Sequence, residues 1–258
     1  MPPVLISLSS FGAAEVRRHG QQWFTQLAQD AGADGVEVRG ELLKRPAEEL
    51  PAIGRAVAQR GSHLVYSSPE GLWAHHGALD VGAVQRALEA AQLLDAPRLK
   101  MSIGGFGSES HHELPRLADL LRGHETELVI ENDQTTPAGT VDALQAFFAR
   151  ADQAGLRLGM TFDMGNWHWT GECPQEAARA LGRRVSYVHC KGVQRQPRRW
   201  VAVPLADSAA PWRAVLRALP RALPWAIEYP LAGDDLLAVT REEIRQLRAA
   251  AAAFGAVA

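Results

Sequence analysis

Four short apolar runs in the second half of the chain each end in a side chain that can hold a cation or move a proton. LVIE closes on Glu131, MTFD on Asp163, SYVH on His189 and WAIE on Glu228. A single carboxylate just past an apolar run usually caps the next helix or faces water. Three carboxylates and an imidazole at the ends of successive runs are harder to dismiss, because burying such charge without a partner is costly. One partner that resolves this is a divalent cation. Three carboxylate oxygens and one imidazole suit Mn²⁺ or Mg²⁺, with Zn²⁺ or Co²⁺ as alternatives. The other solution is metal-free, with the carboxylates paired to Arg39, Lys100 and Lys191. An ion held in this way can chelate a sugar carbonyl and its neighbouring hydroxyl, which acidifies the adjacent C–H bond. Glu131 and Glu228 come from runs separated by two others, so they can flank one substrate carbon as base and acid.

Other polar residues lie near run ends and are candidate substrate contacts. Glu37 and Arg39 are two apart in GVEVR and share a face of a strand. Lys100 lies in RLKMSI, and Asn166, Trp167 and His168 follow Asp163. KGVQRQPRRW is the most basic stretch, and its Lys191 and Arg195 are candidates for a phosphate or carboxylate. Arg198 and Arg199 in the same stretch fit a solvated loop better. Trp73, Trp167 and Trp169 can wall a pocket, although loop tryptophans more often pack. Cys190 neighbours His189 in the same run, so the two side chains point to opposite faces and Cys190 reads as core. No Gly-x-Ser-x-Gly elbow is present.

The elements that must position these residues are legible as alternation. Strand-like runs cover 4–9, 35–39, 63–68, 98–103, 127–132, 157–163, 184–191 and 224–229. Helical periodicity marks roughly 79–95 and 140–154. A helix over 240–254 is expected to start with a capping box of Thr240 and Glu243. Gly32, Gly61 and Gly155 follow helical runs and suit C-caps. Eight strand–helix units in 258 residues predict a single-domain (β/α)8 TIM barrel over 1–258, with its site at the C-terminal ends of the strands. An open doubly wound sheet usually announces a Gly-rich turn after its first strand, and SSFGAAE has no such pattern.

Composition narrows the setting. With 47% hydrophobic residues the chain can bury a full core, and a formal charge of −2 offers no basic stripe for a nucleic acid. Two cysteines are too few for a disulfide framework and fit a reducing compartment. The start MPPVLISLSS lacks a basic n-region, no apolar run approaches a membrane span, and the tail AAAAFGAVA continues a charged helix. The expectation is a cytoplasmic protein with a small-molecule partner, no nucleic acid or membrane, and a homodimer as the default assembly.

The strings IEN, FDMGNW, VHCKG and IEY at four successive strand ends resemble the xylose-isomerase-like TIM-barrel superfamily of sugar phosphate isomerases and epimerases. ISLSSFGA, GVEVRGEL, MTFDMGNWHW and AIEYPLAGDDLL resemble more narrowly its epimerases of bacterial 2-ketogluconate utilisation. The resemblance covers essentially the whole chain. It implies a 2-keto sugar acid, or its phosphate, as substrate. It also implies metal ligands at Glu131, Asp163, His189 and Glu228, and catalytic carboxylates at Glu131 and Glu228. Where the ketose epimerases of the superfamily place a substrate-binding histidine, this chain has Asn166, while Arg195 keeps the spacing of their substrate arginine. PLADSAAPW replaces a Gly-acid-Gly segment found in many relatives. A trinuclear zinc endonuclease of the same superfamily needs further strand-end histidines that are absent here. A non-catalytic sugar-binding barrel is the alternative to an enzyme.

Overall fold

The computed structural model describes residues 1–255. Seven parallel strands lead in chain order: β1 (Val4–Ser7), β2 (Gly35–Arg39), β3 (His63–Trp73), β4 (Arg98–Gly104), β5 (Glu127–Glu131), β6 (Gly159–Asp163) and β7 (Val185–Cys190). An antiparallel hairpin follows, β8 (Gly192–Gln196) and β9 (Arg199–Val203), and then β10 (Trp225–Ile227). β10 pairs with β7 on one side and β1 on the other, closing an eight-stranded barrel. The expected (β/α)8 barrel is therefore the fold. The sequence KGVQRQPRRW, read as a loop, is a hairpin instead. Its strands alternate around the tight Pro197–Arg198 connection, a pattern hidden by the run of basic residues.

Period-2 alternation divides each strand between two cores. Leu99, Met101, Ile130, Phe162, Val188 and Ile227 belong to the main apolar cluster between barrel and helices. Leu5, Val65, Tyr187 and Ala226 form a separate buried cluster inside the barrel. The next inward positions along the same strands are polar: Ser7 follows Leu5, Ser67 follows Val65 and His189 follows Tyr187. The barrel thus has an apolar floor and a charged upper layer. Cys190 is buried on the outer side, as its neighbourhood to His189 required, and burial pushes its thiol pKa up.

The helices at 81–94 and 141–153 lie within a residue or two of their expected spans. Asp80 caps the first through Ala83 N at 2.9 Å, and Thr140 caps the second through Ala143 N. Gly32, Gly61 and Gly155 all have positive φ where helices end. The last helix begins earlier than expected, at Leu236. Asp235 accepts from Ala238 N at 2.9 Å and is the cap, whereas the Thr240 hydroxyl donates back to Leu236 O within the helix. Glu243 accepts from Tyr229 Oη instead of closing a capping box. Its helix runs to Gly255, and the last three residues of the AAAAFGAVA tail lie outside the described residues. No helix among the described residues is long and apolar enough to cross a membrane.

Outer-layer packing depends on close approach at Gly54, within the helix Pro46–Gln59, against the end of the helix Val81–Leu94. A Cβ there would lie 2.3 Å from the Leu94 carbonyl oxygen, which the backbone cannot yield without moving a helix. Gly54→Ala is expected to cost about 1–3 kcal/mol despite its better helix propensity. Denaturant unfolding checks this; equal or raised stability would show that the two helices separate freely.

Candidate metal and acid–base site

The charged upper layer gathers residues from six strands or their immediate ends. His189 lies at its centre, with no solvent exposure. Its Nε2 is 2.7 Å from Glu37 Oε2, which is equally buried. Its Nδ1 faces the other way, 2.9 Å from Glu131 Oε1, 2.9 Å from Glu228 Oε2 and 3.8 Å from Asp163 Oδ2. The Tyr187 ring meets the imidazole edge-on from the floor, 5.1 Å between centroids. Strand register explains the convergence. Asp163 pairs with His189 across β6 and β7, and Ala226 pairs with His189 across β10, which puts Glu228 two residues further up.

Three cations complete the layer. Lys100 Nζ is 2.6 Å from Glu131 Oε2 and 3.5 Å from Glu37 Oε1. One Arg39 nitrogen is 2.6 Å from Glu228 Oε1 and 3.1 Å from Glu37 Oε1. Lys191 Nζ is 2.6 Å from Asp163 Oδ2 and 2.8 Å from Glu228 Oε2. Burial would raise the carboxyl pKa values of Glu37, Glu131 and Glu228. Their cationic neighbours overcome that, His189 and Lys100 for Glu37 and Glu131, His189 and Lys191 for Glu228, and hold all three below the usual range. For His189, burial opposes the proton, but Glu228 and Glu37 raise the imidazole well above its ordinary value. The layer so balances four carboxylates, Glu37, Glu131, Asp163 and Glu228, against Arg39, Lys100, Lys191 and the imidazolium.

The donor set also fits a divalent ion. Glu131, Asp163, His189 and Glu228 each offer one ligand atom, and the four atoms lie within 4.8 Å of one another. Two ligands at right angles around an ion at about 2.1 Å are about 3.0 Å apart. The two 2.9 Å separations from Nδ1 match that edge. A Glu37 carboxylate taking the Nε2 proton fixes the tautomer that leaves Nδ1 for the ion. Asp163 is pre-set as well. Its Oδ1 accepts from Gly165 N at 2.8 Å and Asn166 N at 2.9 Å, which turns Oδ2 toward the cluster.

The sequence-derived candidates divide into groups. Glu131, Asp163, His189, Glu228, Arg39, Lys100 and Lys191 are brought together. Glu37, read as a substrate contact, lies behind the imidazole instead. Its place on β2 brings it under His189 with Ser7 at 3.3 Å. Asn166 is 5% exposed and bound to the loop: its Oδ1 meets Lys191 and Gln134, and its Nδ2 donates to Asn132 O. Trp167 is fully buried, its ring 5.3 Å from Phe162, in the short helix Trp167–Thr170. The His168 ring packs at a tilt 4.8 Å from Trp200 of the hairpin, and burial lowers its pKa. Arg195 is exposed and lies over Trp200, outside the cluster. Trp73 packs on Phe106 and Phe147.

Asn132 was missed. It is fully buried and exchanges two hydrogen bonds with the Asp163 backbone, at 3.0 and 2.9 Å, so it aligns the ends of β5 and β6. An asparagine directly after Glu131 in IEND was its only sequence signal. Beside the cluster, Ser9, Ser10, Lys191, Ala202, Glu228, Tyr229 and Pro230 line a cavity of about 240 Å³. A cavity of about 350 Å³ against Trp225 and Phe254 is larger, but it opens at the opposite end of the barrel from the charged layer.

Two outcomes follow from this geometry. Metal uptake must remove the proton from His189 Nδ1, whose affinity is raised. Below the folded pKa each unit of falling pH should therefore weaken Mn²⁺ binding about tenfold. Calorimetric titrations in buffers of different ionisation heat should show about one proton released per ion at neutral pH; no buffer dependence would mean the imidazole is not a ligand. Glu37→Gln should weaken Mn²⁺ binding by about 10–100-fold, by loosening the imidazole without removing a ligand. Unchanged affinity would show that Glu37 does not hold the ring.

Comparison with known proteins agrees with this architecture. The L-ribulose 3-epimerase structure superposes with a TM-score of 0.73 at 15% identity, covering 98% of this chain and 96% of that one. A D-allulose 3-epimerase from Methylomonas sp., in complex with D-allulose, gives 0.70 at 15% identity, with 96% of each chain covered. A probable 3-DHS dehydratase from Bacillus anthracis gives 0.71 at 14% identity, covering 96% of this chain and 99% of that one. At these identities the likeness is one of fold. No curated protein matches the sequence significantly. The family model for xylose isomerase-like TIM barrels matches residues 25–253, and the chain belongs to that family.

Proposed function

We propose that this protein is a divalent-metal-dependent sugar isomerase or epimerase that moves a proton next to a carbonyl. The observation that carries the reading is the convergence of Glu131 Oε1, Glu228 Oε2 and Asp163 Oδ2 on His189 Nδ1, beside a cavity that Lys191 and Glu228 also line. Mn²⁺ is the preferred ion, because an imidazole among three carboxylates suits it better than Mg²⁺. When bound, the ion supplies Lewis acidity to the substrate carbonyl.

The protein's own residues do the rest. Glu131 and Glu228 approach from strands separated by β6 and β7. Their neighbours keep both ionised, as a general base must be. Starting from that ionised pair, one carboxylate accepts the proton beside the carbonyl; for an epimerisation the other first takes a proton from solvent and returns it to the opposite face. Lys100 and Arg39 hold the outer oxygens Glu131 Oε2 and Glu228 Oε1, so each carboxylate stays aimed while its charge changes. The strings that resemble epimerases of 2-ketogluconate utilisation favour a 2-keto sugar acid or its phosphate. Lys191 at the cavity wall supplies a cation suited to such an acid group. Two unpaired cysteines, Cys173 and Cys190, fit a cytoplasmic setting.

The test is proton exchange. With Mn²⁺ bound, incubation in deuterated water should wash deuterium into the position next to the carbonyl of a 2-keto sugar acid, read by NMR. Glu131→Gln and Glu228→Gln should each slow exchange by at least about a hundredfold. Metal uptake with no exchange across a panel of keto sugar acids and ketoses would instead identify a sugar-binding barrel without turnover.

A further inference from the structure

We propose that the Lys191 ammonium is a built-in occupant of the metal site, which must swing into the neighbouring cavity before the four ligands can hold an ion. The inference rests on the metal-dependent reading of the same site. Each nearby cation meets a different side of the carboxylates. Lys100 takes Glu131 Oε2 and Arg39 takes Glu228 Oε1, and neither oxygen faces the imidazole. Lys191 alone takes inner oxygens. Its Nζ bridges Asp163 Oδ2 at 2.6 Å and Glu228 Oε2 at 2.8 Å, the atoms that these two residues turn toward His189 Nδ1. An ion bound through those oxygens would meet the ammonium at close range, and like charges at such a distance in a buried site repel strongly.

The surroundings provide both a track and a destination. A Cβ at position 165 would lie 2.8–3.1 Å from Lys191 Cδ, Cγ and Cβ, so the absence of a side chain at Gly165 leaves the path of the stem open. Asn166 Oδ1, 3.1 Å from Nζ, gives the ammonium a partner that is not a metal ligand. On the other side is the cavity lined by Ser9, Ser10, Ala202 and Tyr229. Rotation about the end of the four-carbon stem carries the ammonium from the ligand oxygens toward that space. A lysine can make this exchange because its charge is a compact point on a flexible chain, which a planar guanidinium is not. Loading the site would then also place a cation where the substrate enters.

Calorimetric Mn²⁺ titration of wild type, Lys191→Met and Lys191→Gln tests the proposal, with Lys100→Met as the control for loss of a neighbouring charge. Far-ultraviolet circular dichroism and a thermal melt establish that each variant folds. Both Lys191 variants should bind Mn²⁺ about tenfold or more tightly than wild type, and more tightly than Lys100→Met. Equal or weaker binding by the folded Lys191 variants overturns the proposal. A crystal structure of the Mn²⁺-loaded protein supplies the second measurement. Nζ should have left Asp163 Oδ2 and Glu228 Oε2 for the Ser9–Ser10 side; an ammonium still bridging the two carboxylates refutes the displacement. Failure of all proteins to bind Mn²⁺ removes the metal reading and this proposal together, whereas binding without displacement removes only the latter.

Discussion

A barrel interior that holds Glu37, Lys100, Asp163 and His189 almost without solvent exposure is stable only if every charge is cancelled within a few ångströms. This constraint organises the mouth of the molecule. His189 has one acid on Nε2 and three within 3.8 Å of Nδ1, and no single strand supplies more than one of those four acids. Closure of the sheet by β10 is thus a condition of the charge balance as well as of the fold, because it brings Glu228 against His189 and Arg39. Losing one partner would strand the others as unpaired buried charge, which costs far more than the pair contributes.

The same balance can be struck in two ways. With a proton on His189 Nδ1 and Lys191 on the inner oxygens, the layer is neutral and closed on itself. With a divalent ion, one proton and one ammonium have to move aside. Groups that do not need to move are held by further bonds: Asp163 by two backbone N–H groups, Asn132 by the Asp163 backbone, and Glu37 by Ser7 and Arg39. Rigid ligands beside one mobile cation are what a site needs if it is to fill without rearranging its scaffold.

Much of this was legible in the sequence because parallel barrel strands impose one rule: alternate residues face in, and the last inward residue reaches the mouth. Glu131, Asp163, His189 and Glu228 obey it, so their convergence could be read from four strand ends. Glu37 obeys the same rule one layer lower, and sequence does not show depth within a barrel. The hairpin β8–β9 escaped because Arg195, Arg198 and Arg199 give it the composition of a solvated loop. Trp167 escaped for a different reason. It follows Asp163 closely in sequence, but the turn through Gly165 and Asn166 starts a short helix that drives the ring down onto Phe162. Proximity along the chain to Asp163 therefore said little about proximity to the charged cluster.

Asn166 gives the clearest indication of where recognition lies. Both lone pairs of its Oδ1 are engaged, by Gln134 at 3.0 Å and Lys191 at 3.1 Å, and its Nδ2 donates to Asn132 at 2.9 Å. An amide tied at three points and 5% exposed is a strut for the β5 and β6 loops and a resting place for the lysine. The position that contacts substrate as a histidine in the resembling ketose epimerases has thus become part of the scaffold. In the proposed reaction, substrate contact would fall instead to the cavity next to Glu228, which Ser9, Ser10, Lys191 and Ala202 line. Hydroxyls and an ammonium there suit the proposed sugar acid better than a neutral ketose, since a cation beside a cavity gains most from a ligand that carries the opposite charge.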